Sequence, residues 1–225
     1  SLSRRRVIQG AAGSAVVGLT GFPAIVKAQA DAVKLGHLTP RTGFLGTLGE
    51  YAVMAVDLAV EEINSAGGVM GRKLDVIKED SVNPQTASTK AERLIERDKV
   101  AAIVGEISSA SCLTIAQVAQ RTKNLFVNTG GNSDALRGSN CNKYMFHVES
   151  QNSMYVKTVG RSLLAQNLVK GKKWYSLTAD YAFGHDLLKV AKRFMEGNGG
   201  QFAADELVPT DAADFSAFMV KIRNS

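Results

Sequence analysis

The sequence predicts an α/β protein with mostly parallel sheets arranged in two similar lobes, and three observations support this prediction. From residue 33 onward, short apolar runs alternate with amphipathic segments of helical period. The segments between successive strands are long enough for crossover helices, which parallel pairing requires. After about residue 148, the order of strand, loop, helix and strand starts again. A chain of this pattern is expected to bind its ligand at the carboxyl ends of its strands.

The first block of the pattern, residues 31–149, is predicted to form one lobe with five strands and three helices. Its strands are expected at residues 33–38, 74–77, 100–104, 125–127 and 144–148. Its helices are indicated by apolar residues at helical spacing: Val53, Val56, Val60 and Ile63, then Ala87, Ala91, Leu94 and Ile95, then Ile115, Val118 and Ala119. Gly67 and Gly68 are expected to end the first helix, and Pro84 lies just before the second.

The second block, residues 150–225, repeats this order and is predicted to begin a second lobe. Its strands are expected at residues 174–177 and 202–208. Its helices are indicated by Tyr155, Val159 and Leu163, then Leu187, Leu188, Ala191, Phe194 and Met195, then Phe215, Phe218, Met219 and Ile222. No strand follows the last helix, so the second lobe is predicted to be incomplete. Chance similarity between α/β units is the alternative to a repeated lobe.

The first 30 residues contain much of the positive charge. The chain of 225 residues has a formal net charge of +6, but Arg4, Arg5, Arg6 and Lys27 lie in a segment without Asp or Glu. Residues 31–225 contain all 21 acidic residues and nearly balance them with basic ones. These basic residues are scattered and form no stripe with aromatic residues, so the charge gives little support to nucleic-acid binding.

Residues 1–30 are predicted to be an export signal that is cleaved before Asp31. A basic start is followed by an apolar stretch over residues 11–26 and by the small-residue ending Ala28-Gln29-Ala30. The arginines Arg4 and Arg5 follow a serine, which resembles the twin-arginine export motif. A membrane-spanning helix is the alternative, but the apolar stretch contains three glycines and a proline and is shorter than the roughly 20 residues required. We therefore expect export to the periplasm.

Two polar loops of the first block are candidate binding loops because each follows a predicted strand. Ser109 lies at the start of a helix, where free N–H groups and the helix dipole favour a carboxylate. Ordinary capping of that helix by Ser109 or Ser111 is the alternative. In the second loop, Gly130, Gly131 and Asn132 would allow the backbone to approach a ligand closely, and a simple turn is the alternative.

A third candidate loop, in the second block, contains Tyr181 and Phe183 beside a carboxylate. The aromatic faces would suit an ammonium group or an apolar side chain of a ligand. Aromatic residues that simply pack inward are the alternative.

The sequence lacks the motifs of the enzyme classes that an α/β fold commonly supports. It contains no Gly-x-Ser-x-Gly elbow, no Gly-x4-Gly-Lys-[Ser/Thr] phosphate loop and no dinucleotide fingerprint after the first strand. His37, His147 and His185 are far apart without metal-ligand spacing and are interpreted as surface or capping residues. We therefore expect no enzymatic activity, no cofactor and no metal.

The chain has two cysteines, Cys112 and Cys141. An exported protein meets an oxidising compartment, so a disulfide between them is one interpretation. Sequence alone does not give their separation, and two free thiols are the other interpretation.

Several segments together resemble the solute-binding proteins of branched-chain amino acid type ABC importers. The most specific are residues 59–73, 98–105 and 177–184, and the resemblance covers essentially all of residues 31–225. It implies the type I periplasmic binding fold, in which two Rossmann-like lobes joined by a hinge close on a small ligand without changing it chemically. Complete members of this family are longer, so the resemblance also implies that the chain is truncated at its C-terminus.

The resemblance also implies ligand-binding residues. Ser109 and the loop of Gly130, Gly131 and Asn132 fall on the positions that hold the carboxylate and ammonium of an amino acid. Phe183, with Tyr181 beside it, falls on the aromatic position that covers the ligand from the second lobe. Asn132 departs from the family, which often has a threonine hydroxyl there.

The function implied is the capture of a small solute, with a branched-chain amino acid first, for delivery to an ABC permease in the inner membrane. The export machinery of the twin-arginine pathway would be a second partner, and the complete protein is expected to be a monomer. Alternatives are the same transport role for amides, urea or aromatic acids, and a ligand-sensing domain of a receptor. An exported α/β hydrolase is less favoured because no nucleophile motif is present.

Overall fold

The first lobe, defined as residues 31–149, is organised around one fully parallel sheet. In the computed structural model, which describes residues 31–225, five strands lie in the order β2-β1-β3-β4-β5. They are β1 (Val33–Thr39), β2 (Leu74–Asp80), β3 (Ala102–Gly105), β4 (Leu125–Asn128) and β5 (Met145–His147). Parallel pairing brings the loops that follow these strands to the same edge of the sheet.

Three helices connect the strands and cover both faces of the sheet. They are α1 (Gly46–Ser65), α2 (Pro84–Glu96) and α3 (Ser109–Thr122). Leu35 and His37 of β1 lie against α1, while Gly36 contacts Leu94 of α2. Because alternate residues of a strand point to opposite faces, α1 covers one face and α2 covers the other.

The main hydrophobic core lies between the sheet and the pair α2 and α3. Its buried residues come mostly from α2, α3 and the central strands: Leu38, Ala87, Ala91, Leu94, Val100, Ile103, Cys112, Ile115, Ala116, Val118, Ala119, Phe126, Leu136 and Met145. The small residues Ala87, Ala91 and Ala116 allow the two helices to approach the sheet and each other closely. This core fixes the start of α3 relative to the strand ends.

The second lobe, defined as residues 150–225, contains a two-stranded parallel sheet. Its elements are α4 (Asn152–Ala165), β6 (Lys173–Ala179), α5 (Ala182–Gly197), β7 (Gln201–Val208) and α6 (Ser216–Arg223). Helices α4 and α5 pack against each other. Apolar side chains of α4, α5 and β6 line an open groove of about 380 Å³.

The order and type of the predicted elements are confirmed, but the extent of β2 is wrong. The apolar run predicts a strand that ends at Ile77, whereas β2 continues to Asp80. It continues because its charged side chains pair with the neighbouring helices: Lys78 with Asp57 of α1, and Glu79 with Lys90 of α2. Hydrophobicity alone therefore misses the polar end of an edge strand.

Residues 31–225 form one compact unit that contains both sheets. The boundary predicted at residue 149 lies between β5 and α4 and stays a prediction. The leader, with Arg4 and Arg5, lies outside the described residues. Among the residues that are described, no helix combines the length and apolar character that crossing a bilayer requires.

Gly160 allows the close contact between α4 and α5. A Cβ atom at this position would lie 2.2 Å from Cε1 of Phe194. The ring of Phe194 therefore packs directly onto the backbone of α4, and a larger residue would push the helices apart.

We expect Gly160→Ala to lower the free energy of unfolding by about 1–3 kcal/mol through overpacking. The matched control is Gly197→Ala in α5, where an added Cβ would meet no atom within 4 Å. The control should leave stability unchanged or raise it by up to about 1 kcal/mol. Urea unfolding followed by fluorescence of Trp174, the single tryptophan, measures both. Equal stability of the two variants would contradict the packing argument.

Candidate functional site

A cleft of about 350 Å³ lies at the carboxyl ends of the strands, between loops of the first and second lobes. From the first lobe it is lined by the loops that follow β1, β2 and β3. Tyr181 and Thr210, after β6 and β7, line it from the second lobe. The full lining is Pro40, Thr42, Gly43, Phe44, Leu45, Val82, Asn83, Pro84, Ser108, Ala110, Ser111, Tyr181 and Thr210.

None of the described residues that line the cleft has a charged side chain. The charged groups near the cleft form ion pairs and hydrogen bonds within the first lobe. Arg41 pairs with Glu50 at 2.7 Å, while the carboxylate of Asp80 accepts hydrogen bonds from Arg41 N, Thr42 Oγ1 and Val82 N. The cleft therefore offers hydroxyls, backbone groups and apolar surface to a ligand.

An aromatic contact joins the two lobes across the cleft. The rings of Phe44 and Tyr181 meet edge to face, with centroids 5.2 Å apart and an interplanar angle of 76°. Phe183 lies behind Tyr181 at 5.8 Å and does not line the cleft. Burial raises the pKa of the Tyr181 phenol. Tyr181 thus lines the cleft and Phe183 packs beside it, and direct contact of either residue with a ligand stays a prediction.

Ser108, rather than Ser109 or Ser111, caps helix α3. Its hydroxyl faces Ser111 N at 3.5 Å, and both Ser108 and Ser111 line the cleft. The capping alternative drawn from the sequence was therefore wrong in its residue. The sequence does not show which of the neighbouring serines caps the helix, because the cap lies where the backbone changes from extended to helical geometry.

Ser109 is fully buried and holds the loop that follows β4. Its hydroxyl oxygen accepts hydrogen bonds from Asn132 N at 3.1 Å and from Ser133 N at 3.2 Å. It therefore links the start of α3 to the predicted second binding loop. Its direct contact with a ligand stays a prediction.

The side chain of Asn128 organises the glycine loop. Its Oδ1 accepts hydrogen bonds from Gly130 N at 3.1 Å and Gly131 N at 2.8 Å, and its Nδ2 donates to the Gly131 carbonyl. A Cβ at Gly131 would lie 2.4 Å from Cys112 Sγ, so this position requires glycine. Asn128, a residue that sequence reasoning missed, thus holds both glycine N–H groups, and direct contact of Gly130 and Gly131 with a ligand stays a prediction.

Asn132 lies where the first lobe meets the second. Its Nδ2 donates to the Ser150 carbonyl at 2.7 Å, and its own carbonyl accepts from Asn152 N at 2.8 Å. It is not among the residues that line the cleft. These contacts brace the connection between the lobes, and a direct role in ligand binding stays a prediction.

A second group of polar residues continues this connection into α5. Asn152 is fully buried, and its Nδ2 donates to Asp186 Oδ2 at 2.8 Å. The same Asp186 oxygen accepts from Asp134 N at 2.8 Å. Asp134 in turn accepts from Ser153 N. One carboxylate of the second lobe therefore binds the backbone of the first lobe.

The two cysteines are free thiols, so the disulfide considered from the sequence is absent. Cys112 is fully buried and its Sγ lies 3.3 Å from Asn128 Oδ1, whereas Cys141 is exposed. Burial raises the pKa of the Cys112 thiol well above its usual range. The thiol packs under the glycine loop as part of the core.

Two of the three histidines are not the surface or capping residues that the sequence suggested. His37 is buried in β1 with Nδ1 3.0 Å from the Val104 carbonyl, and burial lowers its pKa. His147 is half-buried in β5, where burial also lowers its pKa. His185 is exposed and lies 2.6 Å from Asp180. Within residues 31–225, no group of three His, Cys, Asp or Glu could hold a metal ion.

Glu106 is a fully buried carboxyl directly after β3. Its Oε1 accepts hydrogen bonds from Ile107 N at 3.0 Å and Ser108 N at 2.9 Å, and its Oε2 has no partner. Burial raises the pKa of this carboxyl to about 7, and the Ser81 hydroxyl and these two N–H groups only partly oppose the rise. A charged residue immediately after a buried strand is a signal that sequence reasoning could have used.

The model of the family described as "Periplasmic binding protein" matches residues 32–225. A curated relative, the Leu/Ile/Val-binding protein homolog 7 of Brucella suis, is 28% identical over 204 residues, which cover 88% of this chain and 51% of the relative. A solved periplasmic binding protein of Burkholderia mallei is 31% identical with a TM-score of 0.78, covering 87% of this chain and 51% of that one.

Two further solved structures that this chain resembles are complexes with different classes of ligand. The branched-chain amino acid transporter substrate-binding protein LivJ of Streptococcus pneumoniae, in complex with isoleucine, is 26% identical with a TM-score of 0.73 and coverages of 86% and 54%. An ABC transporter solute-binding protein of Rhodopseudomonas palustris, in complex with 3,4-dihydroxybenzoic acid, is 25% identical with a TM-score of 0.76 and coverages of 86% and 52%. The chain thus spans about half the length of the relatives it matches.

The raised pKa of Glu106 predicts a specific pH dependence of stability. The folded state holds the Glu106 proton up to about pH 7, whereas the unfolded state loses it near its ordinary pKa of 4.5. The contribution is therefore complete below about pH 4.5 and is lost as the pH rises to about 7. The loss amounts to about 3 kcal/mol. We expect Glu106→Gln to lack this loss in urea unfolding measured without ligand.

The control for this prediction is Glu79→Gln at the end of β2. Although burial alone would raise the pKa of Glu79, its hydrogen bonds with Lys90 and Arg93 lower it. Its titration therefore lies below the window of Glu106, and this variant should keep the slope of the wild type between pH 5 and 7. A wild-type profile that is flat over that window would contradict the assignment.

We also expect Ser109→Ala to lower the free energy of unfolding by about 1–3 kcal/mol, because two N–H groups of the glycine loop lose their acceptor. The control is Ser162→Ala, an exposed position of α4, where the change should stay within about 0.5 kcal/mol. Urea unfolding of the full-length protein compares the two. Equal effects would mean that the Ser109 hydroxyl does not brace the loop.

Proposed function

We propose that this chain, which belongs to the periplasmic binding protein family, is part of the solute-binding component of an ABC importer. The observation that carries the proposal is the cleft itself, which loops of both lobes line at the carboxyl ends of their strands. The aromatic contact between Phe44 and Tyr181 spans this cleft and would break and reform as the lobes move. An uncharged cleft between two lobes suits capture of a solute without chemistry.

A branched-chain amino acid is the first ligand we propose. The curated relative is named as a Leu/Ile/Val-binding protein homolog, and the LivJ structure holds isoleucine. In this chain, Leu45, Val82 and Pro84 offer apolar surface to an aliphatic side chain. The hydroxyls of Ser108 and Ser111, at the start of α3, offer hydrogen bonds to a carboxylate.

An aromatic acid is the second candidate, and the aromatic wall of the cleft favours it. The edge-to-face pair of Phe44 and Tyr181 leaves ring surface against which a benzoate ring could stack. Among the described residues that line the cleft, none has a carboxylate side chain that could pair with an ammonium group. The solved Rhodopseudomonas palustris protein holds an acid of this class.

The remaining parts of the proposal concern the whole protein. Residues 1–30 would direct export through the twin-arginine pathway and be removed, and the mature protein would act in the periplasm. Its partner would be an ABC permease of the inner membrane, and no enzymatic step is proposed. A receptor with the same lobes would show binding without transport, and loss of solute uptake when the gene is deleted separates the two.

Isothermal titration calorimetry of the full-length protein tests the ligand directly. The panel contains L-leucine, L-isoleucine, benzoate and 3,4-dihydroxybenzoate, and we expect saturable binding of one class. We expect Tyr181→Ala to weaken that binding about tenfold or more through lost aromatic contact. The control is Tyr51→Ala, an exposed tyrosine of α1 outside the cleft, which should keep wild-type affinity. No saturable binding to any member of the panel would contradict the proposal.

A further inference from the structure

Glu106 lies directly behind the wall of the cleft, and the proposed capture of a solute does not yet use it. Its side chain is fully buried, and its Oε1 binds the N–H groups of Ile107 and Ser108. Ser108 caps α3 and lines the cleft. An internal carboxyl therefore sits at the helix start where the carboxylate of a solute would bind.

The groups around Glu106 do not favour the ionised form of its carboxyl. The negative charge of Asp80, at the end of β2, adds to the cost of ionising Glu106. The Cys112 thiol, from α3, is buried and stays neutral. On β1, the buried His37 contacts the Val104 carbonyl and is also kept neutral by burial. Arg41 is paired with Glu50.

The buried groups beside Glu106 can accommodate a proton. Glu106 Oε2 and the Ser81 hydroxyl, which lie beside each other, both lack a regular hydrogen-bond partner. A proton on Oε2 would allow the acid to donate to the Ser81 oxygen, while Oε1 continues to accept from Ile107 and Ser108. Protonation thus removes the charge without disturbing the start of α3.

We propose that a solute carboxylate binds at the start of α3 together with one proton, which is taken from water by Glu106, whereas an uncharged solute binds without proton uptake. This inference rests on the proposed function. Two carboxylates that share a desolvated helix start repel each other, so binding of the second favours neutralisation of the first. The O–H bond of Glu106 forms as hydronium or the buffer acid gives up its proton, and no other covalent bond forms or breaks.

Burial raises the pKa of Glu106 to about 7, so its protonated and ionised forms are similarly populated near neutral pH. Bound carboxylate raises this pKa further. At a pH between the free and bound values, each complex takes up close to one proton. The affinity for a carboxylate then falls by up to tenfold for each unit of rising pH in that range.

The experiment is calorimetry of the full-length protein with L-isoleucine, benzoate and the uncharged benzamide between pH 6 and 8.5. Titrations in buffers of different ionisation enthalpy report protons taken up on binding. For the carboxylate that binds, we expect uptake approaching one proton and weaker binding as the pH rises. Benzamide, if it binds, should show neither effect. This measurement needs only the wild-type protein.

Two variants assign the proton to its residue. Glu106→Gln should bind the same carboxylate with no proton uptake, and more tightly than the wild type at pH 8.5. The control is Glu79→Gln, because Glu79 belongs to the same lobe, does not line the cleft and pairs with Lys90 and Arg93. This variant should behave like the wild type. Variants are compared only after unfolding curves show that they are folded.

The outcomes separate this inference from the function on which it rests. Saturable binding of a carboxylate by the wild type without proton uptake overturns the inference and leaves the proposed function standing. Proton uptake that persists in folded Glu106→Gln also overturns it, because another group then takes the proton. Failure of every probe to bind overturns the proposed function and the inference together.

Discussion

The pairing register of the central strands, which aligns their carboxyl ends, is the constraint on which the rest of the molecule depends. Leu38 of β1 pairs with Gly105 of β3, and Gly105 pairs with Asn128 of β4, so three neighbouring strands end at the same height. Parallel strands with matched ends bring all the following loops to one edge. The capped helix start, the buried Glu106 and the glycine loop are neighbours only because of this register.

From that edge, a chain of buried and part-buried hydrogen bonds leads to the second lobe. Asn128 holds the glycine loop, Ser109 holds its last residues, and Asn132 binds the backbone of Asn152. Asn152 then binds Asp186 of α5. Buried polar groups without partners are costly, so each contact restricts the next. The connection from the sheet to the second lobe is therefore set by specific hydrogen bonds.

The cleft combines an uncharged lining with a carboxyl buried immediately behind it. Charged residues near the entrance are paired with each other, as Arg41 is with Glu50, and contribute no charge to the lining. Glu106 differs because only its Oε1 accepts hydrogen bonds of regular geometry, from two backbone N–H groups. Its protonation state then responds to whatever charge enters the cleft, because the low polarity of its surroundings leaves little other screening.

The sequence by itself determined the class of the fold and the order of its elements, because periodic apolar residues and glycine stops act over short distances along the chain. It also located the loops after β3, β4 and β6 as the polar edge. Only the tertiary structure decided which of their groups face the cleft. Ser109 and Asn132 turned inward to brace the loops, Gly130 and Gly131 were bound by Asn128, and Tyr181 took the lining position beside Phe44. Side-chain direction at a loop depends on partners distant in sequence, and these partners meet only when the strands pair and the lobes come together.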